Sequence, residues 1–293
     1  MKMKKFTEIL GISMLVVLLS AGSVFAFGTE ITISDENASG GNSWHNSVDE
    51  DQEVEVGMNR SQEWDMEGFF LDGNNNLSMV GGYDFVNGLS NLASGDVFID
   101  VDGDAIFGAI NGIGGNRVVE GANNYDYVLD MDFDNFTYDV YELTDETTSI
   151  TSKVWRNQGS NPWRYNDGGN LIAENVGFGY QAGLTDAETG FRGDLAEDKG
   201  ATYGYLAGTG LGSHYAVTGL DLDFLASDVP VEFVAHFTMQ CGNDNLMGRG
   251  NLAAVTHRGS GGSAESPEPA TMFLLGAGLV GLAAFRKRFV RKA

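Results

Sequence analysis

Cysteine is almost missing from this chain: Cys241 stands alone among 293 residues. No intramolecular disulfide can form, so packing, with any bound cation, has to supply the stability. Proline is nearly as scarce, with 4 residues. Histidine also occurs only four times, at His45, His214, His236 and His257. These are scattered, and the chain holds no H-E-x-x-H, no G-x-S-x-G and no G-x-x-x-x-G-K-[ST]. The glycines around Gly208 lack a strand-to-helix setting. Paired carboxylates for glycoside hydrolysis carry no signal when acids are this abundant.

Basic residues are few, 17 against 41 acidic ones. Three bases lie before residue 27 and five after residue 285, leaving 9, while all but three acids fall within 27–264, leaving 38 and a net charge of −29 there. Such a body repels nucleic acid and anionic membranes, and it attracts cations. Its 18 Phe, 10 Tyr and 4 Trp can build a real core and argue against disorder.

Long apolar runs occur only at the two ends. Lys2, Lys4 and Lys5 precede an apolar stretch from Ile9 to Leu19, and Val24-Phe25-Ala26 offers small-residue cleavage chemistry. Residues 1–26 read as a secretory signal peptide, removed by signal peptidase. At the other end the 16 residues from Ala270 to Phe285 carry no charge. As a helix they would cover about 24 Å, short of a bilayer core of about 30 Å. Arg286, Lys287 and Arg288 can snorkel to the head groups and stop the segment there, so a short membrane span, cytoplasmic at its basic end, is expected. The body between the ends is therefore expected outside the cytoplasm.

Between the ends the pattern has period two and no 20- to 50-residue repeat. In YDYVLDMDFD, Tyr125, Tyr127, Leu129, Met131 and Phe133 point one way, with Asp126, Val128, Asp130, Asp132 and Asp134 on the other. The parity shifts at Asn135, which requires a bulge or short turn before Phe136, Tyr138 and Val140. VEFVAHFTM repeats the logic: Val231, Phe233, Ala235, Phe237 and Met239 face inward, Glu232, His236 and Thr238 outward, with Pro230 at the strand's start. GDVFIDVDGDAIFGAI places two apolar runs around Asp102-Gly103, a hairpin-turn dipeptide. Further strands are expected near 52–56, 68–71, 78–85, 148–155, 203–206 and 216–224, with turns at LDGNNN and NPWRYNDGGN. Many short strands broken by Gly, Asn and Asp predict an all-β fold, an antiparallel β-sandwich of jelly-roll type, spanning 27–258. A Gly/Ser linker, 259–266, then leads to the tail.

Candidate ligating residues follow from that pattern. Asp100, Asp102 and Asp104 form D-x-D-G-D, similar to half a calcium loop, though Gly103 and Asn111 break the full EF-hand pattern. Like charges such as Asp130 and Asp132 along one strand face repel unless water, salt or metal screens them. Either these acids are simply solvated or they hold Ca²⁺. Trp155, Trp163 and Tyr165, interleaved with Arg156 and Arg164, are sugar-stacking candidates, against the plainer expectation that large aromatics are buried. Cys241 reads as a small buried filler.

The order of parts in the tail is specific: Pro267-Glu268-Pro269, a short glycine-rich apolar helix, then bases. It resembles the PEP-CTERM sorting signal of bacterial surface proteins, over residues 267–293, with Ser266 where that family usually shows Val. The resemblance implies that an exosortase, a membrane protease-transpeptidase, reads the signal while the precursor sits transiently in the inner membrane. It then releases the body to the cell surface or extracellular matrix. The resulting expectation is a non-enzymatic protein of the exopolysaccharide envelope; a calcium-dependent carbohydrate-binding module and a polysaccharide-active hydrolase are the alternatives.

Overall fold

The computed structural model describes residues 27–33, 62–105, 115–153, 161–189 and 214–255. Both terminal segments, and the expected strands at 52–56 and 203–206, lie outside the described residues. The described part is mostly β-structure in three sheets, and every ladder is antiparallel. Its α-helix is one turn, α1 (Asp186–Thr189). Among the described residues no helix is long and apolar enough to cross a membrane.

The first sheet orders β1 (Thr29–Glu30), β2 (Met66–Leu71), β3 (Asn76–Gly81), β12 (His214–Asp221) and β11 (Gly179–Leu184). The second orders β10 (Asn170–Gly177), β7 (Thr137–Glu142), β6 (Tyr127–Asp132), β4 (Val97–Asp100), β13 (Val231–Thr238) and β14 (Asn245–Leu252). Period-two patterning works here as expected, because each strand presents alternate side chains to one layer. Phe69, Leu77, Met79 and Val217 from the first sheet meet Ile99, Leu129, Met131, Val140, Phe233, Ala235 and Phe237 from the second in one buried cluster.

The chain itself ties both margins of this sandwich. Ile31 N–H donates to the Phe69 carbonyl, and the Ile31 carbonyl accepts from Arg249 N–H, so residues 29–33 bond to β2 and then to β14. At the opposite margin the chain runs from β10 into β11 through Phe178, thereby passing from one sheet to the other.

A third sheet, β5 (Val118–Glu120), β8 (Thr148–Ile150) and β9 (Arg164–Asp167), lies over part of the second. It corrects the simple inside-outside reading. Val128, expected outward, is buried with Phe98, Ala122 and Tyr125 in a second cluster, against which Tyr141 and Tyr165 pack. His236 and Thr238, also expected outward, are buried too. Alternation still sorts side chains between faces, but both faces are covered here, so polarity no longer reports exposure.

The apolar run expected after Asp102-Gly103 lies beyond residue 105, outside the described residues, while β4 itself pairs with β6 on one edge and β13 on the other. NPWRYNDGGN is not simply a turn: it contains β9 and leads through Asp167-Gly168-Gly169 into β10. The shift at Asn135 is a turn, joining β6 to β7 with Phe136 at φ 57°. β14 was hidden by its glycines, and packing explains one of them. A Cβ at Gly250 would stand 2.4 Å from the ring of buried Phe233, its cross-strand partner.

Gly95 is tighter still. A Cβ there would sit 2.3 Å from the Trp163 carbonyl oxygen and 2.5 Å from that of Thr238, both main-chain atoms. Main chain on both sides cannot swing away as a side chain could. Gly95→Ala is expected to lower stability by about 3 kcal/mol, the upper range for overpacking. Urea unfolding reads it, and an unchanged midpoint would show that the junction of β9 and β13 gives way freely.

Candidate functional site

Asp100 ends β4 and is buried, and its Oδ1 accepts the N–H groups of Asp102 (3.2 Å) and Gly103 (2.8 Å). That closes a short turn in which Gly103 takes φ 84°. Asp126, just before β6, accepts the Val101 N–H at Oδ2 (2.6 Å) and donates its own N–H to the Ile99 carbonyl. Pairing of β4 with β6 thus brings together residues 26 positions apart. One carboxylate oxygen each from Asp100, Asp102 and Asp126 lies within 4.8 Å of the others. Burial lifts the Asp126 carboxyl above its ordinary value against the pull of the Val101 N–H, and Asp102 and Asp100 push it the same way. Three hard oxygen donors in one place are what Ca²⁺ accepts as half of its shell. Asp100 and Asp102 also line a cleft of about 260 Å³ walled by Glu232 and Arg249.

The other acids expected here lie apart from that trio. Asp104 offers its N–H to Asp102 Oδ1 rather than joining the group of carboxylates. Asp130 lies on β6 opposite Asp139 of β7, its carboxyl raised mainly by burial. Asp132 is occupied at the β6–β7 turn, accepting from Asp134 N–H, Asn135 N–H and the Asn135 amide, which hold its carboxyl below its ordinary value.

Of the aromatic candidates, Trp155 lies outside the described residues. Trp163 is only 6% exposed. Tyr165 stacks on Tyr141 with centroids 4.7 Å apart, and its hydroxyl donates to the Gly168 carbonyl. Trp163 is thus buried, and Tyr165 is half-buried with one face against Tyr141. Arg164 lies between them in sequence, its guanidinium 5.4 Å from the Trp163 ring.

Two buried polar assemblies had no local signal in the sequence. Glu67 of β2 accepts from Gln62 Nε2 at Oε1 (2.7 Å) and stands 2.7 Å from His214 Nδ1 at Oε2, a pairing 147 residues apart. All three are buried, and the two oxygens of Glu67 each have a partner, as buried carboxylates require. Asp96, fully buried before β4, accepts the Met131 N–H at Oδ1 (3.0 Å) and the Tyr165 N–H at Oδ2 (2.8 Å). It thereby ties the second sheet to the third.

Comparison with known proteins adds one positive finding. The family model described as the PEP-CTERM protein-sorting motif matches residues 267–288. No curated protein and no solved structure matches the chain. A chain with this motif is an exported protein whose precursor is held in the membrane by its C-terminal segment and processed for the surface by an exosortase.

Asp96 supplies a test of the buried charges. Its carboxyl is pushed up to about 7, by burial first and by Asp130 second, against Arg164 and the two N–H donors. A carboxyl held above its unfolded value binds a proton in the folded chain that the unfolded chain has already released. Stability is then greatest at low pH and falls as pH rises from about 4 to about 7. Relative to Asp96→Asn, the wild type is expected to lose stability across that window. Parallel curves for the two proteins in chemical unfolding would show that Asp96 is ionised throughout.

Proposed function

We propose that this chain is a non-enzymatic protein of the cell surface or extracellular matrix, structural or adhesive in role, working in the exopolysaccharide envelope. The observation that carries the proposal is the sorting motif at 267–288. The body fits the role: two face-to-face antiparallel sheets stand without disulfides and with one buried cysteine. Its charge favours hydration and cation bridging in a wet polymer matrix.

In this reading Pro267-Glu268-Pro269 is the recognition element, the apolar run holds the precursor, and Arg286, Lys287 and Arg288 stop it at the cytoplasmic side. Replacing the three motif residues by alanine is expected to keep the tail on the chain and hold the protein in the membrane fraction. The wild type is expected to be trimmed and recovered outside. Fractionation with C-terminal mass spectrometry reads both. A full-length tail in both proteins would leave only a plain anchor.

A second reading, a calcium-dependent module, draws support from the Asp100–Asp102–Asp126 trio. Bound Ca²⁺ would relieve their mutual repulsion and join the end of β4 to the start of β6, stabilising the folded state by mass action. Millimolar Ca²⁺ is expected to raise the melting temperature by a few degrees over chelator, and Asp126→Asn to abolish the rise. An identical melting temperature with and without Ca²⁺ would remove this reading.

A further inference from the structure

One surface remains that neither the sorting motif nor the acidic trio uses. Phe136, in the β6–β7 turn, is 40% exposed and lies 6.2 Å from half-buried Tyr180 of β11. Tyr180 in turn lies 6.3 Å from half-buried Tyr215 of β12, their planes 10° apart. The three rings form a row at the margin of the sandwich, where the chain passes between the two large sheets and Tyr215 packs against the main core. The Tyr180 hydroxyl donates to Asp84 Oδ1 (2.7 Å), which fixes its ring.

The row meets a cleft at the β6–β7 turn. Asp132, Phe133 and Asp134 line that cleft, of about 440 Å³, together with Phe85, Val86, Ser94 and Arg164. Phe178 joins the two features, its ring touching Phe133 at 5.7 Å and Phe136 at 5.9 Å. Within the cleft wall, Arg164 has a buried Nε–H that meets no acceptor among the described residues. A buried N–H left unsatisfied is costly, and a bound acceptor would remove the cost. Carboxylates and an unsatisfied donor lie beside aromatic rings, the lining expected of a site for a polyhydroxylated ligand.

We propose that the Phe136–Tyr180–Tyr215 row and the adjoining cleft bind a neutral polysaccharide. Apolar pyranose faces lie on the rings, hydroxyls donate to Asp134 and to the acceptor capacity that the turn leaves on Asp132 Oδ2, and a ring or hydroxyl oxygen accepts from Arg164. Charge selects neutral over acidic polymers. The cleft sets two carboxylates against one guanidinium, Asp84 stands beside the row, and the body carries a net charge of −29, which repels polyanions. The proposal deepens the matrix reading by giving the body something to hold, and it rests on that reading for its biological setting.

The test is affinity electrophoresis of the full-length protein in a non-glycosidic detergent, through gels holding hydroxyethylcellulose, glucomannan, dextran or polygalacturonate. Retardation by at least one neutral polymer, and not by polygalacturonate, is expected. Phe136→Ala and Tyr180→Ala should each weaken retention about tenfold. Tyr180→Phe, which keeps the ring and loses the Asp84 bond, should stay within about threefold. Arg164→Gln should weaken retention as well, and circular dichroism checks that each variant is folded. No retardation by any neutral polymer, retardation by polygalacturonate alone, or folded alanine variants that bind like wild type would each overturn the site. Trimming of the tail, followed by mass spectrometry, reports separately on the matrix reading. A trimmed protein that binds no polymer removes the site alone, and a binding protein that is never trimmed removes the reading alone.

Discussion

Two β-sheets with no disulfide between them must be held together by what their inner faces exclude from water. Ile99, Leu129, Met131, Phe233 and Phe237 on one side and Phe69, Leu77, Met79 and Val217 on the other do this. Burial of such side chains is worth about 1.5–3 kcal/mol each, and this has to offset the ordering of a glycine-rich chain. The margins matter as much as the middle. A sandwich edge exposes unpaired main-chain groups, and here residues 29–33 close one margin while the β10-to-β11 crossing closes the other. Everything described at the surface, the acidic trio and the aromatic row included, depends on strands that this packing holds in register.

The acid surplus finds much of its explanation in the turns. Asp72 accepts from Asn74 and Asn76 N–H, Asp84 from Val86 and Asn87, Asp100 from Asp102 and Gly103, and Asp132 from Asp134 and Asn135. Each carboxylate replaces a missing ladder partner where the chain reverses. Carboxylates also reach across elements: Asp244 accepts the Met66 N–H, joining the segment before β14 to β2, and Asp96 joins β6 to β9. An acidic composition therefore builds this fold as well as keeping it hydrated.

That double use decides what could be read from the sequence. Period two in VEFVAHFTM and YDYVLDMDFD identified β13 and β6 with their inner faces, because alternation is local. It misjudged Val128 and His236, because cover by Tyr165 of β9 and by Tyr125, which stacks on His236, depends on tertiary contacts with no trace in either strand. β14, reading NLMGRGNL, was missed because glycine under Phe233 looks like loop when the ring that requires it is unseen. D-x-D-G-D pointed to Asp100 and Asp102, but the third carboxylate, Asp126, comes from strand pairing rather than from the motif. Trp163 and Tyr165 drew attention by being aromatic between arginines, whereas the exposed ring of Phe136 stood in what looked like a continuing strand. Only the tail was fully local, and it is there that the family match falls.

Strong like charge also limits how such a body can adhere to anything. At about 0.15 M salt the field of the carboxylates fades over about 8 Å, so repulsion is felt mainly at contact distance, where recognition occurs. An anionic polymer must then overcome several uncompensated acids at every approach, while an uncharged one meets only the local desolvation of the groups it touches. Adhesion without opposite charge has to come from short-range terms: apolar contact with flat rings, and hydrogen bonds to donors that the fold leaves unsatisfied. In the described part of this chain those terms coincide at the β6–β7 turn, where Phe136 stands at the head of a row of rings and Arg164 keeps a buried N–H without an acceptor.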